Sequence, residues 1–309
     1  MWFRHQLAAL VFCVAAYGQP ALPEILSRVA EEAEILQQNA IKTVTTETLE
    51  QRAVLPPSRF RPRPGTVAAD TPQLRITARE VVSEYSVGRL RESESRNLVE
   101  FRQVVSVDGR RVRTVEVARH ALSLGIQSSD DRIRKRMLED FANLGLVDIA
   151  TDYGLILLAF GKRGQEQMKI EIAGESRMGV DEALVLHWRQ TSSAGGQLEF
   201  RGRHVARRAM EGNLWVRKSD GLPLRIQVWV EHNDAKKTIR DEASVEYALS
   251  YHGFLSPASV VHRHLVDSKL LTENIYRYEP FKLFSADTDI KFTELPDPAT
   301  LAPAPPAKK

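Results

Sequence analysis

The sequence predicts an α+β fold, with a large antiparallel β-sheet and a few helices packed on it. Two observations support this: an amphipathic helical segment comes first, and a long series of short β-rich segments joined by tight turns follows it. Connections this short join antiparallel neighbours, because parallel strands need a long crossover. With 309 residues, 43% hydrophobic and 27% charged, the chain is long enough for one such domain around a hydrophobic core.

The first residues have the features of a cleavable secretory signal. A basic start with Arg4 precedes an apolar run from Leu7 to Ala16, and the small residues Ala16 and Gly18 follow. We therefore expect residues 1–18 to be a signal peptide and the mature protein to be soluble and periplasmic or secreted. The apolar run is about half as long as a membrane-spanning helix requires.

The single cysteine, Cys13, lies inside that apolar run and would leave with the signal. The mature chain would then be free of cysteine, with no disulfide, no thiolate nucleophile and no cysteine metal ligand. A lipid anchor at Cys13 is the alternative, although Phe12 is bulkier than the residue that normally precedes a lipidated cysteine.

The elements of the first half follow from periodicity and turn chemistry. Residues 22–36 have apolar side chains at helical spacing, and the β-branched residues 41–49 predict a strand. The proline-rich residues 55–72 predict an irregular connection. From Leu74 the β pattern resumes, and Asp108-Gly109 between two β-rich arms predicts a hairpin.

Two segments in the middle of the chain differ in how clearly they are predicted. Residues 130–144 have an apolar stripe and end at Gly145, which predicts a helix with its basic residues 132–136 on the solvated face. The apolar run from Leu155 to Phe160 has no period, so it can be a buried strand or a short core helix.

The second half reads as successive strands and ends in a Pro/Ala-rich tail. Alternation is clearest where Leu224, Ile226 and Val228 share one face and Arg225 and Gln227 the other. Residues 19–295 should form one β-rich domain, and residues 296–309 a disordered tail. The predicted strands are 168–172, 183–190, 197–203, 213–217, 222–231, 244–251, 259–266 and 271–278, with turns at 194–196, 219–221, 232–234, 252–253 and 267–268.

One hairpin resembles a known superfamily. Leu214-Trp215-Val216-Arg217 turns through Gly221-Leu222-Pro223-Leu224-Arg225 into the next strand, and residues 278–284 look like a closing strand. This pattern is similar to that of the periplasmic lipoprotein carrier LolA, its receptor LolB and the sensor RseB. The resemblance implies a strongly curved, half-barrel-like sheet whose concave side, covered by helices, holds acyl chains or lipoproteins. The insert at residues 119–162 departs from the simplest members, and no binding residue is carried over.

No local motif of a catalytic site is present in the sequence. There is no nucleophile elbow, no zinc-protease motif, no phosphate-binding loop and no dinucleotide-binding fingerprint. We therefore predict a protein that is not an enzyme and has no cofactor, no catalytic residue and no metal ligand. The ligand-binding residues are unknown at this stage.

Residues that could imitate a site have simpler explanations. His262 and His264 share a strand face and could meet one metal, but two polar side chains on a wet face are the simpler interpretation. His187 should point outward, since Leu186 and Trp188 point inward. The acids Glu31, Glu32, Glu92 and Glu94 fit a polar helix face and a charged loop, and the aromatics Trp188, Trp215, Trp229, Tyr247, Tyr251, Tyr276 and Tyr278 fit core packing.

These observations predict an exported binding protein that holds an apolar ligand, such as a lipid, acyl chain or lipoprotein, in a cavity between sheet and helices. The alternative is an envelope protein–protein interaction or sensor module without a ligand cavity. A hydrolase would need two carboxyl groups facing one cleft. Nucleic acid is not an expected partner, because the net charge is +3, with 43 basic and 40 acidic residues.

Overall fold

The structure, a computed structural model, describes residues 21–55, 74–89, 98–128, 131–149, 151–192, 197–201 and 204–283. The predicted signal peptide with Cys13, residues 56–72 of the predicted irregular connection, the turn at 194–196, Glu92 and Glu94, and the predicted tail lie outside these ranges. For residues 127–128, 131–133, 197–201 and 204–207 the backbone alone is described.

One open antiparallel sheet dominates the described part of the chain, which confirms the predicted fold class. Its strands lie in the order β4-β3-β2-β1-β13-β12-β11-β10-β9-β6-β5, with β14 beside β1, and β7 and β8 form a separate hairpin. The strands are β1 Thr43–Leu55, β2 Arg75–Arg89, β3 Leu98–Val107, β4 Arg110–Arg111, β5 Met168–Met178, β6 Asp181–Gln190, β7 Gln197–Arg201, β8 His204–Arg208, β9 Glu211–Arg217, β10 Pro223–Asp234, β11 Lys237–Leu249, β12 Leu255–Val266, β13 Lys269–Tyr278 and β14 Lys282–Leu283.

The helices comprise the two that periodicity predicted and several that it did not. Helix α1 covers Leu22–Asn39 and is followed by a 3₁₀ turn at Ala40–Lys42, and α3 covers Asp131–Asn143. Helix α2, Val115–Ser128, and the short α4, Lys162–Gln165, were not predicted. The apolar run that could be strand or helix lies in a 3₁₀ helix, Tyr153–Phe160, which we call the inner helix.

Of two turns predicted from their residues, one is confirmed and the other is wrong. The hairpin at Asp108-Gly109 is confirmed, and both residues have positive φ angles of 50° and 75°. The turn predicted at residues 232–234 lies instead at Ala235 and Lys236, with φ angles of 45° and 70°. The polar residues before it continue β10, where Asp234 pairs with Lys237, because polar side chains are tolerated at the exposed end of a hairpin.

The bonds of Gly154 establish that the sheet is strongly curved. Strand β3 with Glu100 and strand β11 with Tyr247 are five steps apart in the sheet order, which is about 24 Å in a flat sheet. Yet the N–H of Gly154 donates to Glu100 Oε1 at 2.9 Å, and its C=O accepts a hydrogen bond from Tyr247 Oη at 3.1 Å. The sheet therefore wraps around the inner helix.

The two faces of the curved sheet are packed differently. The inner face carries the main core and is covered by α1, α3 and the inner helix. A smaller cluster of Val44, Val99, Phe101 and Leu122 holds α2 against the outer face of β1 to β3. Strand β3 is buried on both faces, because a helix covers each side of it.

Candidate functional site on the inner face of the sheet

The inner helix fills the space that the curved sheet encloses. Leu157 and Phe160 are fully buried, Leu155 is 5% exposed, and the Phe160 ring packs edge-on against Trp188 with ring centroids 5.2 Å apart. The void beside Leu155, between α1 and β2, has a volume of about 10 Å³, room for about one water molecule. The apolar contacts that a bound hydrocarbon would make are thus made here by the chain itself.

Polar side chains of the sheet hold the backbone of the inner helix. Glu100 accepts hydrogen bonds from the N–H groups of Asp152 and Gly154 at 2.8 and 2.9 Å. Tyr247 Oη accepts a bond from the N–H of Leu157 and donates to the C=O of Gly154, both at 3.1 Å. A 3₁₀ helix leaves N–H groups at its start without internal partners, and Glu100 supplies partners for those of Asp152 and Gly154.

A buried ion cluster lies beneath these anchors. Arg102 Nε donates to Glu47 Oε1 at 2.7 Å and its Nη2 donates to Glu100 Oε2 at 2.8 Å, and all three side chains are 1–2% exposed. The guanidinium also lies over the rings of Tyr85 and Tyr276, 5.2 and 5.1 Å from their centroids. We call Glu47, Tyr85, Glu100, Arg102 and Tyr276 the arginine cluster.

Burial shapes the protonation of this region. Desolvation raises the pKa of Glu47 although Arg102 opposes the shift, and burial likewise raises the pKa of Asp152 against the effect of Arg134. The region thus contains three carboxyl groups, those of Glu47, Glu100 and Asp152. Two guanidinium groups pair with them, those of Arg102 and Arg134. Glu47 and Glu100 lie sealed in the core and bonded to Arg102, so they do not form the open two-carboxyl cleft that a hydrolase requires.

A second polar group fastens the loop before the inner helix. Gln51 Nε2 donates to Asn274 Oδ1 at 2.6 Å, and Asn274 Nδ2 donates to the C=O of Asp148 at 2.7 Å and faces His262 Nδ1 at 3.3 Å. The His262 ring stacks on Tyr153, with centroids 5.4 Å apart. Because the Nδ2 group of Asn274 can only donate, Nδ1 of His262 is the acceptor in this contact.

Asp241 completes this group, and its ionisation should make stability depend on pH. Burial alone would raise the pKa of Asp241, but hydrogen bonds from His262 and His264 hold it well below its usual range. A carboxyl with a lowered folded-state pKa contributes stability above its unfolded pKa of about 3.9 and loses it as the pH falls further.

Replacing Asp241 by asparagine should therefore cost about 1–2 kcal/mol of unfolding free energy at pH 7 and less at pH 3. Urea unfolding at both pH values measures this, with Glu242→Gln on the outer face as the control. An equal cost at both pH values would mean that the charge of Asp241 contributes nothing.

The residues singled out from the sequence lie on both faces of the sheet. His187 points outward beside Trp229, as predicted. The expectation that His262 lies on a wet face is wrong. Its side chain is 4% exposed, because the ring packs against Tyr153 and Asn274 on the inner face. Glu32 is also buried, and it bonds to Arg28.

The aromatic residues are divided between the two faces. The inner face carries Trp188, Tyr247 and Tyr276, the outer face carries Trp215 and Trp229, and Tyr251 is 91% exposed. Within the described ranges, no group of three or more His, Cys, Asp or Glu could hold a metal.

Sequence reasoning missed the arginine cluster. Its five members come from four strands, and Arg102 is 55 residues from Glu47. One signal was available: Glu100 and Arg102 share a face of a strand in which Leu98, Val99, Phe101 and Val104 are apolar. Two opposite charges on one face of such a strand predict a buried pair.

The outer face has a groove of different character. Its volume is about 160 Å³, and its lining includes Trp229, Arg240, Glu242 and Arg263. The charges are paired: Arg240 Nε lies 3.1 Å from Glu242 Oε2, and Arg263 Nε lies 2.9 Å from Glu273 Oε1. This polar groove suits water better than an apolar ligand, which leaves the inner face as the candidate site.

Comparison with solved structures returns matches at low sequence identity and low TM-score. A LolA superfamily protein from Nitrosomonas europaea is 11% identical with a TM-score of 0.31, and the match covers 84% of this chain and 94% of that one. A DUF1329 family protein from Desulfovibrio piger is 10% identical with a TM-score of 0.35, covering 87% and 95%. MucB, solved in complex with MucA(peri), is 12% identical with a TM-score of 0.19, covering 85% and 99%.

The sequence matches no protein-family model and no curated protein. Among the described helices, none combines the length and the apolar character that crossing a bilayer requires. What this chain binds is inferred below from its own residues.

Proposed function

We propose that the protein is a non-enzymatic binding protein of the cell envelope, periplasmic or secreted, that takes up an apolar ligand on the inner face of its sheet. The main observation in support of this proposal is the inner helix, an apolar segment that occupies the space enclosed by the sheet. Hydrogen bonds with Glu100 and Tyr247 hold it there. Uptake requires the inner helix to leave, because a ligand site needs about 300 Å³ or more. Lipid, acyl chain and lipoprotein all have the apolar surface that would replace it.

The segment that leads into the inner helix supports such a movement. Asp148 and Asp152, both before its first residue Tyr153, have positive φ angles of 45° and 68°, a conformation that costs a non-glycine residue free energy. Asp152 is held there by an ion pair with Arg134 and by its bonds to Glu100. A segment that relaxes when released is suited to exchange with a ligand.

A variant that weakens the inner helix tests this function. Leu157→Ala removes fully buried apolar contact and leaves every polar anchor in place. We expect it to bind a long-chain dansylated fatty acid at least about tenfold more tightly than the wild type does, since the competing segment is weakened. Fluorescence titration measures the affinity, and Leu249→Ala, at a leucine 63% exposed, is the matched control. Absence of binding in all three proteins would contradict uptake of acyl chains on the inner face.

A second function, an interaction module without a ligand cavity, is favoured by the filled inner face and by a sheet edge that no other strand of the described ranges pairs with. Strand β5 pairs with β6 on one side, and Ile172 on it is 52% exposed. A photoreactive amino acid at position 172 should then crosslink one envelope protein, whereas the same group at the 91% exposed Tyr251 should not. Equal, unspecific crosslinking from both positions would exclude the edge.

A further inference from the structure

The polar anchors around the inner helix are matched to a polypeptide backbone. From these contacts we infer that the ligand taken up on the inner face is an apolar polypeptide segment, for which the inner helix is the internal stand-in. This rests on the proposed function, and it narrows the ligand from any apolar molecule to one with peptide N–H and C=O groups.

The first step is the inventory of bonds that a ligand must replace. When Asp152 and the inner helix leave together, the side chain of Glu100 loses two N–H donors, and the hydroxyl of Tyr247 loses one donor and one acceptor. Glu100 keeps Arg102 and the hydroxyl of Tyr85, but its remaining lone pairs then face the emptied space. A site of this kind contains acceptors and a hydroxyl at defined positions as well as apolar surface.

The second step compares ligand classes against that inventory. A plain hydrocarbon chain satisfies none of the four lost bonds, and each buried polar group left unpaired costs roughly 1–3 kcal/mol, which lowers affinity by a factor of about 5–150. A polypeptide offers an N–H and a C=O at every residue and can satisfy them all. The polar part of the site therefore selects against hydrocarbon and for peptide.

The third step concerns charge and shape. Glu100 accepts from N–H donors, so an anionic ligand head would meet a carboxylate at the point where the backbone of the inner helix now lies. Gly154 lies so close to Glu100 that an added Cβ would be 2.6 Å from Oε1. A bound segment must therefore have glycine at the position that corresponds to Gly154, or a free N–H there with no bulky side chain beside it.

The probe that tests this inference is a fluorescein-labelled synthetic peptide with the sequence of residues 152–160, extended by two lysines for solubility. We expect the mature wild type to bind it saturably in fluorescence anisotropy, and Leu157→Ala to bind it more tightly, because its own segment competes less. N-methylation of the peptide at the residue matching Leu157 should lower affinity about tenfold, through loss of the bond to Tyr247.

The matched control is a peptide methylated at the residue matching Ala159, whose N–H bonds to none of the sheet side chains within the described ranges. Its affinity should stay within about twofold of that of the parent peptide.

A dansylated fatty acid, titrated into the wild type and into Leu157→Ala, separates the peptide inference from the more general proposal of apolar-ligand binding. Fatty acid binding without peptide binding, or equal affinity for both methylated peptides, overturns the peptide inference and leaves the apolar binding function in place. Binding of neither ligand overturns both.

Discussion

Replacing Arg102 by methionine is expected to lower the free energy of unfolding by about 3–5 kcal/mol at pH 7.5. The substitution leaves Glu47 and Glu100, both 1% exposed, as buried carboxylates without their guanidinium partner. It also removes a cation from between the rings of Tyr85 and Tyr276. Chemical denaturation followed by tryptophan fluorescence measures the loss.

The loss should depend on pH in a direction fixed by the carboxyl groups. Burial already raises the pKa of Glu47, and Arg102 opposes that rise, so removing Arg102 raises the pKa further. A carboxyl whose folded-state pKa exceeds its unfolded value binds protons preferentially in the folded state. The deficit of Arg102→Met should therefore be largest at neutral pH and shrink as the pH falls toward about 4.5.

Two further variants separate charge from packing. Arg277→Met breaks a pair with Glu50 on the outer face, where the two side chains are 54% and 45% exposed, and should cost less than about 1 kcal/mol. Adding Glu47→Gln to Arg102→Met should restore part of the stability, because one uncompensated charge is removed. A deficit that is the same at pH 5 and pH 8 would show that lost packing, and not buried charge, causes it.

The predictable parts of the fold are those encoded by neighbouring residues. The stripe of α1, the hairpin at Asp108-Gly109 and the alternation of Ile226, Val228 and Val230 follow from local spacing, and the structure has each of them. Helix α2 was missed because β-branched residues such as Val115 and Val117 have low helix propensity. Its packing on Phe101 of β3 outweighs that propensity.

The candidate site depends on contacts between distant parts of the chain, which explains why the sequence did not predict it. The run from Leu155 to Phe160 has no period, and whether it is helix or strand is decided by where Glu100 and Tyr247 meet its backbone. Likewise, His262 reads as a surface residue until Asn274 and Asp241 are placed beside it. Curvature brings these strands together, and no short segment of sequence encodes it.

Replacing Gly154 by alanine is the second change with a large expected effect. Its Cβ would lie 2.6 Å from Glu100 Oε1 and 3.4 Å from Tyr85 Oη, both in the buried core. Since Glu100 is bonded to Arg102, the inner helix is the part that can yield, and we expect a loss of about 2–3 kcal/mol. Gly161→Ala is the matched control in the same segment, because its nearest neighbour would be 3.6 Å away.

The way in which Gly154→Ala loses stability bears directly on function. Hydrogen exchange resolves whether the amides of Leu157 and Phe160 lose protection alone or together with those of β10 and β12. Selective loss at the inner helix, with increased uptake of a dansylated fatty acid, is the result we expect, because an exchangeable segment must open separately from the sheet. If the inner helix and the central strands lose protection together, the segment is an integral part of the core. Apolar ligands would then have no route to the inner face, and the interaction module would be the better account of the protein.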